Sequence, residues 1–210
     1  MSQIIPAILV KDQAAFMDRL HLVENLVPLI QIDVMDGKFV PNTSWCDLGV
    51  IKDLDTSTAF ELHLMVEDPE IIIRECENIP KVKRLVWHLE SMGDHRELLN
   101  LVHSFGREAG LAISPKTPVD SLQPYTGRMD EILVLGVEPG FSGQGLIPET
   151  IVKTKQIHER WNDLVIAFDG GVNLANIEDL KQAGVTRFCV ASAVFGNQDI
   201  ETALKELQNN

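Results

Sequence analysis

The sequence predicts a closed (β/α)8 barrel, and three observations predict it. Short β-branched runs alternate with longer amphipathic stretches from end to end. The strand-like runs number eight, the count that closes such a barrel. No low-complexity tract or linker separates a second domain, so residues 1–210 are expected to form one domain. Alternating units of this length call for parallel strands, which could also lie in an open doubly wound sheet. The count of eight favours closure.

Taken in order, strands are expected at 4–10, 29–35, 58–65, 82–88, 111–114, 131–137, 164–169 and 186–191. Helical patterns fill 13–25, 68–78, 94–109, 148–161, 177–183 and 200–208, with weaker ones at 47–55 and 119–125. Gly110 after Ala109 and Gly184 after Ala183 read as helix stops. Period-two alternation aligns Gln31, Asp33 and Met35 on one face of the second strand. The same rule aligns Glu61, His63 and Met65 on the third strand, and Val86, His88 and Glu90 on the fourth. The seventh strand ends on Asp169.

Composition narrows the function. With 45% hydrophobic and 23% charged residues, the chain reads as an ordinary globular protein. Its apolar runs are too short to cross a bilayer, and its first ten residues lack a basic start and read as a strand. Three cysteines, Cys46, Cys76 and Cys189, share no metal-type spacing, so a reducing, cytoplasmic compartment is expected. A net charge of −13 with no basic cluster weighs against nucleic acid and membrane as partners. An anionic substrate would need a local device to hold it, such as backbone N–H groups at helix N-termini.

In a barrel of this kind, chemistry belongs to the C-terminal strand ends and the loops that follow. Asp33, His63 and Asp169 fall there. Singly, each has a structural explanation, as a helix cap or a satisfied core histidine. Two carboxylates and an imidazole at matching ends of three strands point instead to metal binding or catalysis, because an uncompensated buried carboxylate is costly. Glycine-bearing turns follow the last three strands, at 139–144, 169–172 and 191–196. Gly140, Gly143, Gly170, Gly171, Ala191 and Ser192 in those turns are the expected phosphate-binding residues. Met35 and Met65 are either core filler or an apolar cap over the reacting atoms.

At 31–42, reading QIDVMDGKFVPN, the chain resembles the ribulose-phosphate 3-epimerase family. The resemblance continues through LHLM (62–65), WHLE (87–90), SPKTPVDSL (114–122), VEPGFSGQ (137–144), DGGV (169–172) and ASAVFG (191–196). It implies a barrel of the ribulose-phosphate-binding type that inverts C3 of a ketose phosphate, converting ribulose 5-phosphate to xylulose 5-phosphate or a close analogue. By position it implies Asp33 and Asp169 as exchanging acid and base, with Asp33, His63 and Asp169 as ligands of one divalent metal ion. That ion, which would be zinc, iron, manganese, cobalt or magnesium, is implied to hold the substrate's oxygens and stabilise the enediolate between two proton transfers. Met35, Met65 and His88 join the implied substrate contacts. The expected partner is a phosphorylated sugar, and the expected assembly a homo-oligomer.

The chain departs from the family's pattern at the site itself. Gln31 stands where the family has a metal-binding histidine, and Ala7 where it has a serine that reaches the substrate. Ser142 and Ala191 replace glycines, and Leu135 replaces a methionine. An amide oxygen is a harder and poorer ligand than imidazole for zinc or iron(II), so Gln31 is a doubtful fourth ligand. Against the epimerase reading stands a non-catalytic sugar-phosphate-binding barrel that has lost part of the metal site. A barrel decarboxylase or aldolase would carry Asp-x-Lys-x-x-Asp on a strand, whereas here Met35 takes the lysine's place.

Overall fold

The computed structural model describes residues 2–141 and 143–210. Eight parallel strands pair in sequence order and close on themselves. They are β1 (Gln3–Ile8), β2 (Leu29–Met35), β3 (Ala59–Met65), β4 (Val82–His88), β5 (Glu108–Ile113), β6 (Glu131–Leu135), β7 (Val165–Asp169) and β8 (Arg187–Val190). Around them run α1 (Gln13–Val23), α2 (Leu48–Asp53), α3 (Pro69–Glu75), α4 (His95–Ser104), α5 (Glu149–Arg160), α6 (Ile177–Gln182), the short α7 (Ser192–Phe195) and α8 (Ile200–Asn209). The β5–β6 crossover carries only a 3-10 helix, Val119–Leu122.

The strand alternation sorts side chains into two layers. Ile30, Ile32 and Val34 of β2 face outward and pack with Phe16 and Leu20 of α1. Inside, Ile5, Ala7, Val86, Ala112, Leu133 and Ala167 fill the lumen. Several of these are small because eight strands leave room for little more than side chains. Part of the acidic excess holds the helices in place. Asp12, Asp47, Asp68, Asp94 and Asp199 each accept a first-turn backbone N–H, a contribution of about 1 kcal/mol per cap.

Most element ends fall within two or three residues of the expected ones, and the largest difference lies between α4 and β5. The helix expected over 94–109 ends at Ser104, and β5 begins at Glu108 rather than residue 111. The stop is Gly106, with φ of +70° and its N–H on the carbonyl of His103. Gly110 lies within the strand, paired with Val86 and Glu131. A Cβ there would sit 2.8 Å from Cγ of Glu131, so this glycine makes room for a neighbour in the lumen. The other expected stop, Gly184, does follow its helix, with φ of +101°.

The barrel floor is ionic. Arg84 pairs with Glu61 and reaches Glu108 at 2.7 Å, while Arg187 pairs with Glu131 and reaches Glu108 at 3.2 Å. Three carboxylates face two guanidiniums, and Oε1 of Glu131 is buried with no hydrogen-bond partner among the described residues. Burial first, and then the charge of Glu61, push the Glu131 carboxyl up to about 7 despite Arg84 and Arg187.

Candidate active site at the carboxyl ends of the strands

β2 and β3 run in register, with Asp33 beside His63 and Met35 beside Met65. Ser44 secures the end of β2 by donating to the carbonyl of Asp33 and accepting from the N–H of Met35. Asp169 ends β7, and its carbonyl accepts from Gly136 just after β6. These elements bring Asp33, His63 and Asp169 together, one ligand atom from each lying within 4.8 Å of the others.

Nδ1 of His63 is 3.1 Å from Oδ1 of Asp33 and 3.2 Å from Oδ2 of Asp169. The amide nitrogen of Gln31 donates to the same two oxygens, at 2.7 and 2.8 Å. Oε1 of Gln31 is buried and has no hydrogen-bond partner among the described residues. Burial opposes charge on His63, but hydrogen bonds and attraction from Asp169 and Asp33 outweigh it and raise the ring to about 10. Burial, followed by the charge of Asp169, raises the Asp33 carboxyl, while His63 and Gln31 work against that rise. The cluster therefore holds at least one proton near neutral pH.

These donors suit a divalent cation. Two carboxylates and an imidazole nitrogen already face one point, leaving further positions open. Turning the Gln31 amide over would exchange a donor for its unpartnered oxygen and complete a set of three oxygens and one nitrogen. Such a set suits manganese or magnesium better than a histidine-richer one.

The cavity above this cluster is lined by Met65, Leu135, Phe141, Asp33 and Asp169, and by the turns after β6, β7 and β8. Gly140, Gly143, Gly170, Gly171, Ala191 and Ser192 all lie on its wall. Gly171 has φ of +73°, and a Cβ there would fall 2.7 Å from the backbone nitrogen of Leu146, so only glycine fits this approach. Asn42 donates to the carbonyl of Gly140, and Gln144 to those of Glu138 and Phe141, which braces the loop after β6. Ser142 lies outside the described residues.

Two of the residues expected to contact substrate, Met35 and His88, do not line this cavity. Met35 is buried with Val40 and Met65, outside the cavity lining. His88 is also outside that lining, fully buried behind His63. Both side chains follow the inward alternation correctly, but the loop after β2 folds over them, with Phe39 packed 4.9 Å from the His88 ring. The sequence reading missed Leu9, Val137, Phe141 and Gln144 on the cavity wall. The last three lie within the VEPGFSGQ motif, which could have pointed to them.

The closed parallel barrel gathers paired carboxylates and glycine turns at its C-terminal mouth, the end at which barrels of this class carry their chemistry. Comparison with known proteins makes this specific. Residues 3–195 match the model of the ribulose-phosphate 3 epimerase family, and the chain belongs to that family. Ribulose-phosphate 3-epimerase of Methanocaldococcus jannaschii is 34% identical over 188 residues, covering 87% of this chain and 79% of that protein. The Schizosaccharomyces pombe protein of the same name is 31% identical over 186 residues, covering 86% and 81%. Among solved structures, a tryptophan synthase alpha-subunit from Pyrococcus furiosus superposes with a TM-score of 0.74 at 12% identity, covering 100% of both chains. That last likeness is one of fold. The family is one of isomerases, and no described helix is long and apolar enough to cross a membrane.

Proposed function

We propose that this chain interconverts epimers at C3 of a ketose phosphate, ribulose 5-phosphate and xylulose 5-phosphate, with Asp33 and Asp169 as the acid–base pair. The observation that carries this reading is the convergence of Oδ1 of Asp33 and Oδ2 of Asp169 on the same two donors, Gln31 and His63. One carboxylate takes the C3 proton, and the electron pair spreads onto the C2 carbonyl oxygen to give an enediolate. The other, already protonated, delivers a proton to the opposite face. Burial and the charge of Asp169 raise the Asp33 carboxyl, the direction that suits the member of the pair acting as acid. The next turnover then runs with the roles exchanged. Met65 and Leu135 keep water from the reacting carbon.

Asp33, His63 and Asp169 would hold a divalent ion, with Gln31 adding its oxygen. Such an ion supplies Lewis-acid stabilisation of negative charge on oxygen, a contribution of several kcal/mol in general. The phosphate would lie among Gly143, Gly171, Ala191 and Ser192, held by backbone N–H groups and the first turn of α7 against a net charge of −13. A cytoplasmic setting fits cysteines that are all unpaired.

The test is proton NMR of ribulose 5-phosphate with the protein in deuterium oxide. The expected result is deuterium at C3 and the appearance of xylulose 5-phosphate, both lost in D33N and D169N. Epimerisation at the unaltered rate in either variant would overturn the assignment. A barrel that only binds sugar phosphates would show neither exchange nor product.

A further inference from the structure

Behind the site runs a chain of hydrogen bonds that no step above uses. Nε2 of His63 lies 3.1 Å from Nε2 of His88, and Nδ1 of His88 lies 3.1 Å from Oε2 of Glu90. The other Glu90 oxygen accepts from the Ser114 backbone N–H at 2.9 Å and from the Thr117 hydroxyl. His88 is fully buried, with the nearly coplanar His63 ring centred 5.2 Å away on one side and the tilted Phe39 ring 4.9 Å away on the other.

Donor and acceptor roles along this chain are forced from its far end. Glu90 can only accept, because its carboxyl is held down at about 2; burial opposes this, but bonds from His88, Thr117 and Ser114 prevail. Nδ1 of His88 therefore carries a hydrogen. Two ring nitrogens 3.1 Å apart have room for one proton between them, since two N–H bonds or two lone pairs aimed at each other repel. That proton can belong to either ring. Nδ1 of His63 faces two carboxylates, whereas Nδ1 of His88 faces one, so the extra positive charge rests on His63. Neutral His88 then accepts at Nε2, and His63 donates from its own Nε2.

We propose that His88 and Glu90 are positioning residues that fix a hydrogen on Nε2 of His63 and so reserve its Nδ1 for the site. Nδ1 then either donates to Asp33 and Asp169 or offers its lone pair to a cation, and no turn of the ring is required between the two. The second half rests on reading Asp33, His63 and Asp169 as a cation site; the hydrogen-bond direction does not. Histidine ligands generally donate their second nitrogen to an oxygen acceptor. Here the acceptor is a second imidazole, whose own direction is set by a carboxylate.

E90Q tests this because its outcome is dictated by Ser114. The Ser114 N–H needs an acceptor, so the new amide turns its oxygen there and its NH2 toward Nδ1 of His88. The chain must then run backwards: His88 carries its hydrogen on Nε2, and His63 keeps its single hydrogen on Nδ1. Long-range proton–nitrogen correlation spectra of histidine-labelled protein, prepared free of metal, assign the tautomers directly. The expected result is an Nδ1–H ring for His88 in the unaltered protein and an Nε2–H ring in E90Q. Zinc affinity by calorimetry should also fall about 10–100-fold in E90Q. An Nε2–H ring for His88 in the unaltered protein would overturn the proposal by itself, even if E90Q failed to fold. Reversed tautomers with unchanged zinc affinity would overturn the claim that the pair serves a cation. Zinc binding in neither protein would overturn the metal reading of the site and leave the direction of the chain to be judged from the spectra.

Discussion

Asp33 and Asp169, from strands β2 and β7, are bridged twice, once by the amide nitrogen of Gln31 at 2.7 and 2.8 Å and once by Nδ1 of His63 at 3.1 and 3.2 Å. Two carboxylates this close repel unless protons or donors stand between them. Gln31 and His63 supply those donors, so the aspartate pair is held by neighbours whose removal should be felt in both catalysis and binding.

The first prediction concerns the pair itself. D33N and D169N should each lower epimerase turnover by at least about 100-fold, the lower range for loss of an acid or base. The thermal midpoint should stay close to that of the unaltered protein, because an amide keeps the shape and relieves repulsion. Coupled assay of xylulose 5-phosphate formation, alongside a melting curve, checks both halves. Loss of activity with a collapsed midpoint would mean the aspartates are structural.

Gln31→His supplies the imidazole that the resemblance implies at this position. Metal affinity should rise by about 10–100-fold, most for zinc and least for magnesium, because imidazole is the softer donor. Calorimetric titration of both proteins with zinc, manganese and magnesium gives the ranking. Equal affinities would place residue 31 away from the metal.

Phosphate recognition is tested at α7. Ser192→Asp puts a carboxylate in the first turn, where the backbone N–H groups would otherwise meet the substrate's phosphate. Competitive inhibition by inorganic phosphate should weaken at least about 10-fold, one order of magnitude in affinity for about 1.4 kcal/mol. KM for the sugar phosphate should rise while kcat changes less. Inhibition that is unaffected would move the phosphate elsewhere in the cavity.

Stability should depend on pH through the floor of the barrel. The Glu131 carboxyl is raised from 4.5 to about 7 in the folded chain, so the folded state holds a proton that the unfolded state releases first. Its contribution is fully present below about pH 4.5 and is lost as pH rises through about 7, amounting to about 3 kcal/mol at most. E131Q keeps the site neutral at every pH. Its urea midpoint should therefore fall less between pH 5 and pH 8 than that of the unaltered protein. Parallel curves for the two proteins would show that Glu131 is ionised throughout.

The alternation of short and long patterns determined the barrel, because a parallel sheet with helices on its outer face leaves that period in the residues themselves. Period two turned Asp33 and His63 inward, and position near the carboxyl ends of their strands put them and Asp169 at the mouth. What the chain could not declare were contacts between segments far apart in sequence. Gly110 looked like a helix stop until its strand neighbours showed Glu131 filling the space over it. His88 shared the inward face but fell behind His63, because the loop carrying Phe39 closes over that part of the mouth. The groups that face the Gln31 amide and the His63 ring come from β2, β4 and β7, and those that face Glu90 from the segment after β5. A strand's periodicity follows from local backbone geometry, but a hydrogen bond's direction depends on what stands opposite, and only the closed barrel decides that.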